Sequence, residues 1–230
     1  MTSEILKQRE PRTTPAEPRK PGSVKVLVWD LDETLWAGTL LEGDDVRLRP
    51  GVREALEELD RRGVLHSVAS RNDREAALEA LRRLGVEEYF LYPQIHWGAK
   101  SQSVQAISKA LNLGLNAIAF IDDQEFEAEE VRHVHPSVLT LHADEVGSLL
   151  DRPELTPRFI TDESRLRRHM YRAEMKRKEI EQDHDGPQEE FLASLDMRFT
   201  VAPAAEVDLQ RAEELTVRTN QLNATGYTYS

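Results

Sequence analysis

The sequence predicts an α/β protein, a doubly wound parallel sheet with helices on both faces. Two observations lead there. Short apolar runs of strand length alternate with segments of helical spacing in a strand–helix–strand–helix order. Several of those runs end abruptly in polar groups: Asp30 and Asp32, Ser70, and Asp122 with Asp123. In open α/β sheets ligands bind outside the carboxyl ends of the strands, where such groups would converge.

Taken in order, residues 1–22 carry Pro11, Pro15, Pro18 and Pro21 among charged and small polar residues, which predicts a disordered leader. Val24, Val26, Leu27 and Val28 are strand formers interrupted only by Lys25, as suits a buried parallel strand. Residues 52–62 place Val52, Leu56 and Leu59 at helical spacing, with Gly63 as the stop. Residues 64–69 (VLHSVA) read as a second strand, ending in Ser70, Arg71 and Asn72. Asn72 or Asp73 can cap a helix that runs to Leu84 and stops at Gly85. Residues 89–95 are a short apolar segment, a third strand. Residues 101–111 are helical, with Val104, Ile107 and Leu111 on one face. A fourth strand, 117–121 (AIAFI), leads into Asp122–Asp123; a helix to about Arg132 and a strand at 138–142 complete the sheet.

After Leu150 the composition changes, so the chain divides into a catalytic domain at 23–150 and an extension at 151–230. The extension predicts a highly charged helix at 165–181, a strand at 197–201 and an amphipathic helix at 208–222.

Composition excludes several functions. Of 230 residues, 42 are acidic and 30 basic, a formal net charge of −12, which argues against nucleic-acid binding. There is no cysteine, so thiolate metal sites, cysteine nucleophiles and disulfides are excluded. No apolar run is long enough to span a membrane, and the first residues lack a signal-peptide core; a cytoplasmic protein is expected.

Each polar strand end has an ordinary reading. The acidic pairs could be turns or helix caps, Ser70 could begin a helix, and Lys100 could be a surface lysine. Together they form an inventory suited to phosphoryl transfer. Asp30 and Asp122 can hold one magnesium ion, a hard cation that prefers oxygen ligands. The Ser70 hydroxyl and the Lys100 ammonium can neutralise phosphate oxygens. One carboxylate can attack phosphorus while its neighbour shuttles the proton. His133 and His135 have no further ligands nearby in sequence and read as surface residues.

DLDETLW, ASRND, the lysine of WGAKS and FIDDQEFEAEEV resemble the four ordered motifs of the haloacid dehalogenase superfamily of phosphohydrolases. The tryptophan after DLDETL, and RTNQLNATG at 218–226, are similar to the FkbH-like branch, subfamily IIIC. The resemblance implies a Rossmann-like sheet and an Mg2+-dependent mechanism with an aspartyl-phosphate intermediate. It implies Asp30 as nucleophile and Asp32 as general acid/base, with the Asp32 backbone carbonyl on magnesium. It further implies Thr34 steadying the first motif, Ser70 binding phosphate beside Arg71 and Asn72, and Lys100 orienting phosphate and nucleophile. Asp122 and Asp123 complete the metal site.

FkbH-like proteins are associated with loading a glyceryl unit from 1,3-bisphosphoglycerate onto an acyl carrier protein in polyketide-type biosynthesis. The resemblance therefore implies an acyl or glyceryl phosphate as substrate and an acyl carrier protein as partner. Members that carry the acyl group covalently often have cysteine before the motif serine. Here that residue is Ala69, so no thioester can form on this chain. The intervals 36–63 and 71–99 are too short for an inserted lid domain, which predicts an open site. Arg165, Arg167, Arg168, Arg172, Lys176, Arg177 and Lys178 offer a basic face for an acidic carrier, or a solvated helix balanced by acidic neighbours. Alternatives are a stand-alone phosphatase for another metabolite or protein, a receiver-like module, and a non-catalytic carrier-binding module. A receiver would have adjacent first acidic residues and a lysine from a later strand than its phosphoacceptor. Asp-x-Asp, and Lys100 ahead of Asp122, fit that order poorly.

Overall fold

The computed structural model describes residues 19–182 together with 198, 201, 203 and 205–208. Its strands are β1 (Val26–Trp29), β2 (Trp36–Ala37), β3 (Arg47–Leu48), β4 (Leu65–Ser70), β5 (Gln94–Ile95), β6 (Ile118–Asp122) and β7 (Leu139–His142). Its helices are α1 (Val52–Arg61), α2 (Arg74–Arg83), α3 (Lys100–Leu111), α4 (Glu125–Val134), α5 (Asp162–Arg165) and α6 (Arg167–Gln182). Five strands form one parallel sheet in the order β5-β4-β1-β6-β7.

β1 lies at the centre and shows why the sheet is covered on both faces. Its side chains alternate sides: Leu27 and Trp29 join one apolar cluster, Val26 and Val28 the other. The first cluster takes Ala55, Leu56 and Leu59 of α1 and Ala77, Ala80 and Leu81 of α2. The second takes Val104, Ile107 and Leu111 of α3 and Val131 of α4. The doubly wound sheet expected from the sequence is therefore present. Asp73 is the cap of α2, its Oδ1 accepting from Ala76 N at 2.9 Å.

The expected third strand at 89–95 is mostly absent. Glu87–Tyr89 is a 3-10 turn, Phe90 makes a single bridge to His66, and only Gln94–Ile95 pairs with β4. Tyr92 has a left-handed φ of 50° and Pro93 has no N–H, so the chain cannot ladder through them. Residues 36–48 hold an antiparallel hairpin, β2–β3. Neither 36–63 nor 71–99 contains an inserted domain, as their lengths required.

The charged helix expected at 165–181 starts earlier and breaks at Leu166 into α5 and α6. Thr161 and Ser164 cap α5 reciprocally, each side chain bonding the other's backbone N–H. Among the described residues that follow, Leu155 joins the first cluster, and Tyr171 and Met175 pack against the second. Gly22 N and Val24 N donate to Pro153 O and Glu154 O at 2.8 and 3.0 Å, and Tyr171 donates to Leu111 O at 3.2 Å.

Arg168 is not part of an open basic face. It is 6% exposed, donates to Asp60 Oδ1 at 3.0 Å and to Glu88 O at 2.9 Å, and stacks 4.8 Å from the Tyr89 ring centre. Arg172 also donates to Glu88 O, at 3.2 Å. All of the element at 208–222 but Asp208, the 218–226 motif, and all but 198 and 201 of the strand at 197–201 lie outside the described residues. Among the described residues no helix is long and apolar enough to cross a membrane.

Candidate active site

The strand ends meet because β1 and β6 are neighbours in register. Trp29 pairs with Ile121, and Asp30 N still donates to Ile121 O at 3.0 Å, so the ladder carries Asp30 to the side of Asp122. Both carboxyls are buried. α3 begins on Lys100, which is buried and reaches back to the same point. Its ammonium bonds Asp30 Oδ1, Asp122 Oδ2 at 3.1 Å and Glu127 Oε2 at 2.9 Å. Ser70, the last residue of β4, is buried at the same edge, and its hydroxyl helps to lower the Asp30 carboxyl.

Asp32 is held apart from this cluster. Its Oδ1 accepts from Trp36 Nε1 at 2.8 Å and Leu40 N at 3.0 Å, and its Oδ2 accepts from Asn72 Nδ2 at 2.9 Å. Thr34 donates to Asp123 Oδ1 at 3.3 Å, linking the β1 loop to the β6 loop. Arg71 points across the site, Nη1 on Glu127 Oε1 at 2.9 Å and Nε on Gly98 O at 3.2 Å. The structure thus gathers Asp30, Ser70, Lys100 and Asp122 at one point. Asp32, Thr34, Arg71, Asn72 and Asp123 lie around it.

The charge balance calls for another cation. Four carboxylates (Asp30, Asp122, Asp123 and Glu127) share the site with Lys100 and Arg71. Burial raises the Asp30 carboxyl above its ordinary value, against the pull of Lys100. Burial, with the Asp30 charge, pushes Asp122 up to about 7. Burial raises Asp123 as well. Burial alone would lower the Lys100 ammonium, but Asp30, Asp122 and Glu127 outweigh it and raise it. Carboxylate oxygens of Asp30, Asp122 and Asp123 all lie within 4.8 Å of one another. A hard, all-oxygen donor set with excess negative charge fits a divalent cation such as magnesium. The Asp32 carboxylate is not in that set, being engaged by Trp36, Leu40 and Asn72.

The family described as haloacid dehalogenase-like hydrolase matches residues 37–134. The chain is 30% identical over 119 residues to Magnesium-dependent phosphatase 1 of Homo sapiens, a match spanning 44% of this chain and 68% of that protein. The chain belongs to the haloacid dehalogenase-like hydrolases. Its sheet also superposes on the N-terminal part of the protein BF1531 from Bacteroides fragilis, containing a phosphatase domain complexed with Mg, with a TM-score of 0.52 and 24% identity. That match covers 58% of this chain and 41% of the other, so the chain spans well under half of that structure, and the likeness concerns the fold.

For this hydrolase, the sequence reading missed Glu127, the buried carboxylate that joins Lys100 to Arg71. A signal was available. Glu127 shares a helical face with Val131, four residues on, which is buried in the apolar core. A glutamate on the inward stripe of a helix needs a cation partner. Trp36 was read only for its family likeness; its indole N–H proves to hold Asp32.

Proposed function

We propose that this hydrolase is a magnesium-dependent phosphatase working through a phosphoenzyme on Asp30. The observation that carries the reading is the division of labour between two aspartates two residues apart. Asp30 sits against Lys100, Ser70 and the acidic cluster, whereas Asp32 is aimed separately by Trp36, Leu40 and Asn72. The cation, held by Asp30, Asp122 and Asp123, would supply positive charge to phosphate oxygens.

An Asp30 oxygen attacks phosphorus and the bond from phosphorus to the substrate's oxygen breaks; that leaving oxygen takes a proton from Asp32. Asp32, now ionised, takes a proton from water as the water attacks the aspartyl-phosphate. Inorganic phosphate leaves and Asp30 is restored. Lys100 and Ser70 offset the charge on the phosphate oxygens, and Glu127 and Asn72 hold Lys100 and Asp32 in place.

The favoured substrate is an acyl or glyceryl phosphate, with 1,3-bisphosphoglycerate as the type, used together with an acyl carrier protein in polyketide-type secondary metabolism. The FkbH-like motifs support this, and the uninserted loops leave room for a bulky substrate. With no cysteine in the chain, any acyl transfer would proceed without a thioester on this protein. The lack of cysteine also favours a cytoplasmic setting. In this reading 23–150 is the catalytic domain and 151–230 its extension.

The test is magnesium-dependent phosphate release from a panel that includes 1,3-bisphosphoglycerate, with Asp30→Asn as control. Release abolished by the substitution supports the mechanism. Release that survives it assigns the chemistry elsewhere.

A further inference from the structure

Leu41, Trp97 and Phe126 are 54%, 65% and 76% exposed, and the mechanism uses none of them. Single exposed apolar residues are ordinary. The placement of these three is not. Each is one residue from a group tied to the site. Leu40 N donates to Asp32; Gly98 O accepts from Arg71; and Glu127, next to Phe126, pairs with Lys100. All three belong to the segments that follow β1, β5 and β6, at the edge where the site lies.

Trp97 and Phe126 share one side of that edge. Phe126 and Glu130 are one turn apart on the same face of α4. Glu130 accepts from both the backbone N and the hydroxyl of Ser101, the second residue of α3. The Phe126 face of α4 is therefore turned toward the start of α3, and Trp97 lies in the loop that enters α3. Leu41 comes from the hairpin whose Leu40 packs on the other cluster, that of α1 and α2. It stands on the opposite side.

Their immediate neighbours bind Asp32, Arg71 and Lys100, so these side chains border the site and are within reach of the part of a substrate attached to its phosphate. We propose that Trp97 and Phe126, with Leu41 opposite, form a rim that selects phosphates attached to a large apolar or aromatic body. The inference rests on the phosphatase reading and deepens it. Of the acyl and glyceryl phosphates, the rim favours an acyl phosphate with an apolar acyl group over 1,3-bisphosphoglycerate, whose body is small and charged.

The test compares benzoyl phosphate with acetyl phosphate, using the full chain with magnesium and the variants Trp97→Ala and Phe126→Ala. Both positions are exposed, so folding is not at stake. The intrinsic reactivity of each compound cancels in the ratio of variant to wild type. Each substitution is expected to lower kcat/KM for benzoyl phosphate about tenfold relative to acetyl phosphate. An unmoved ratio overturns the rim. Binding supplies a second readout, because Trp29 and Trp36 are wholly buried and Trp97 is the exposed indole. Naphthylmethylphosphonate should shift the emission and methylphosphonate should not. If no phosphate is released from either compound or from the panel that includes 1,3-bisphosphoglycerate, the phosphatase reading fails. The emission then decides the rim separately: a shift lost in Phe126→Ala supports it, and no shift overturns it.

Discussion

Asn72 Nδ2 stands 2.9 Å from Asp32 Oδ2, joining the loop after β4 to the loop after β1. Asn72 is itself buried, and its own Oδ1 takes Asp73 N at 3.1 Å, so the amide cannot turn away. In the role proposed for it, proton donor, Asp32 depends on these neighbours for geometry. Asn72→Ala is expected to lower kcat about a hundredfold, the usual scale for losing alignment of a reacting group. Inhibition by inorganic phosphate, which the proposed mechanism assigns to Ser70 and Lys100, should change far less. Steady-state kinetics with phosphate as inhibitor separates the two effects, and equal losses in both would mean Asn72 binds phosphate instead.

Lys100 is the cation that lets three buried carboxylates share one point. Lys100→Ala should destabilise the metal-free protein by about 3–5 kcal/mol, because unpaired buried charge remains. Saturating magnesium should restore part of that loss and should stabilise the variant more than the wild type. Urea unfolding with and without magnesium measures both. A variant indifferent to magnesium would remove the cation from Asp30, Asp122 and Asp123.

His66 supplies a pH dependence that belongs to the core. It is wholly buried, with Nδ1 accepting from Trp29 Nε1 at 3.1 Å and Nε2 at 3.2 Å from Leu56 O. Burial lowers it from 6.5 to about 3. The unfolded chain therefore binds a proton that the folded chain refuses. The contribution is full above pH 6.5 and is lost progressively as pH falls toward 3, at a cost of about 2 kcal/mol between pH 7 and pH 5. Asp122 acts in the opposite direction, since its raised carboxyl stabilises the fold at low pH and loses that effect as pH rises. The measurement is thus a difference. Between pH 7 and pH 5, His66→Gln should lose about 2 kcal/mol less than wild type in urea unfolding.

Arg168 fastens α6 to the domain through Asp60, Glu88 and the Tyr89 ring. Arg168→Ala should cost about 2 kcal/mol, allowing for the solvent-screened Glu88 partner, and should make the chain near Leu166 more open to protease. Limited proteolysis and thermal unfolding check this. Charge reversal at Arg168 would consequently report on packing before any effect on a carrier protein.

Much of the fold was legible because periodicity and breakers act locally. β1, α1 and α2 follow from runs of apolar residues, from the Asp73 cap, and from Gly63 and Gly85 just beyond the helix ends. The third strand was misread because its apolar content ignores Tyr92 and Pro93, whose backbone breaks the ladder. Asp30, Ser70, Lys100 and Asp122 were legible as candidates because strand ends of a parallel sheet share one edge.

By itself, then, the sequence determined the parallel α/β class, the absence of thiol chemistry and the aspartates at the strand ends. These depend on residue type and short spacing. Only the tertiary structure decided that Glu127 bridges Lys100 and Arg71, that Trp36 and Asn72 aim Asp32, and that Arg168 is a clasp within the fold. Those pairings join residues far apart in the chain. Their energies depend on burial, because a charge costs little in water and much in a core, and burial is a property of the packed chain as a whole.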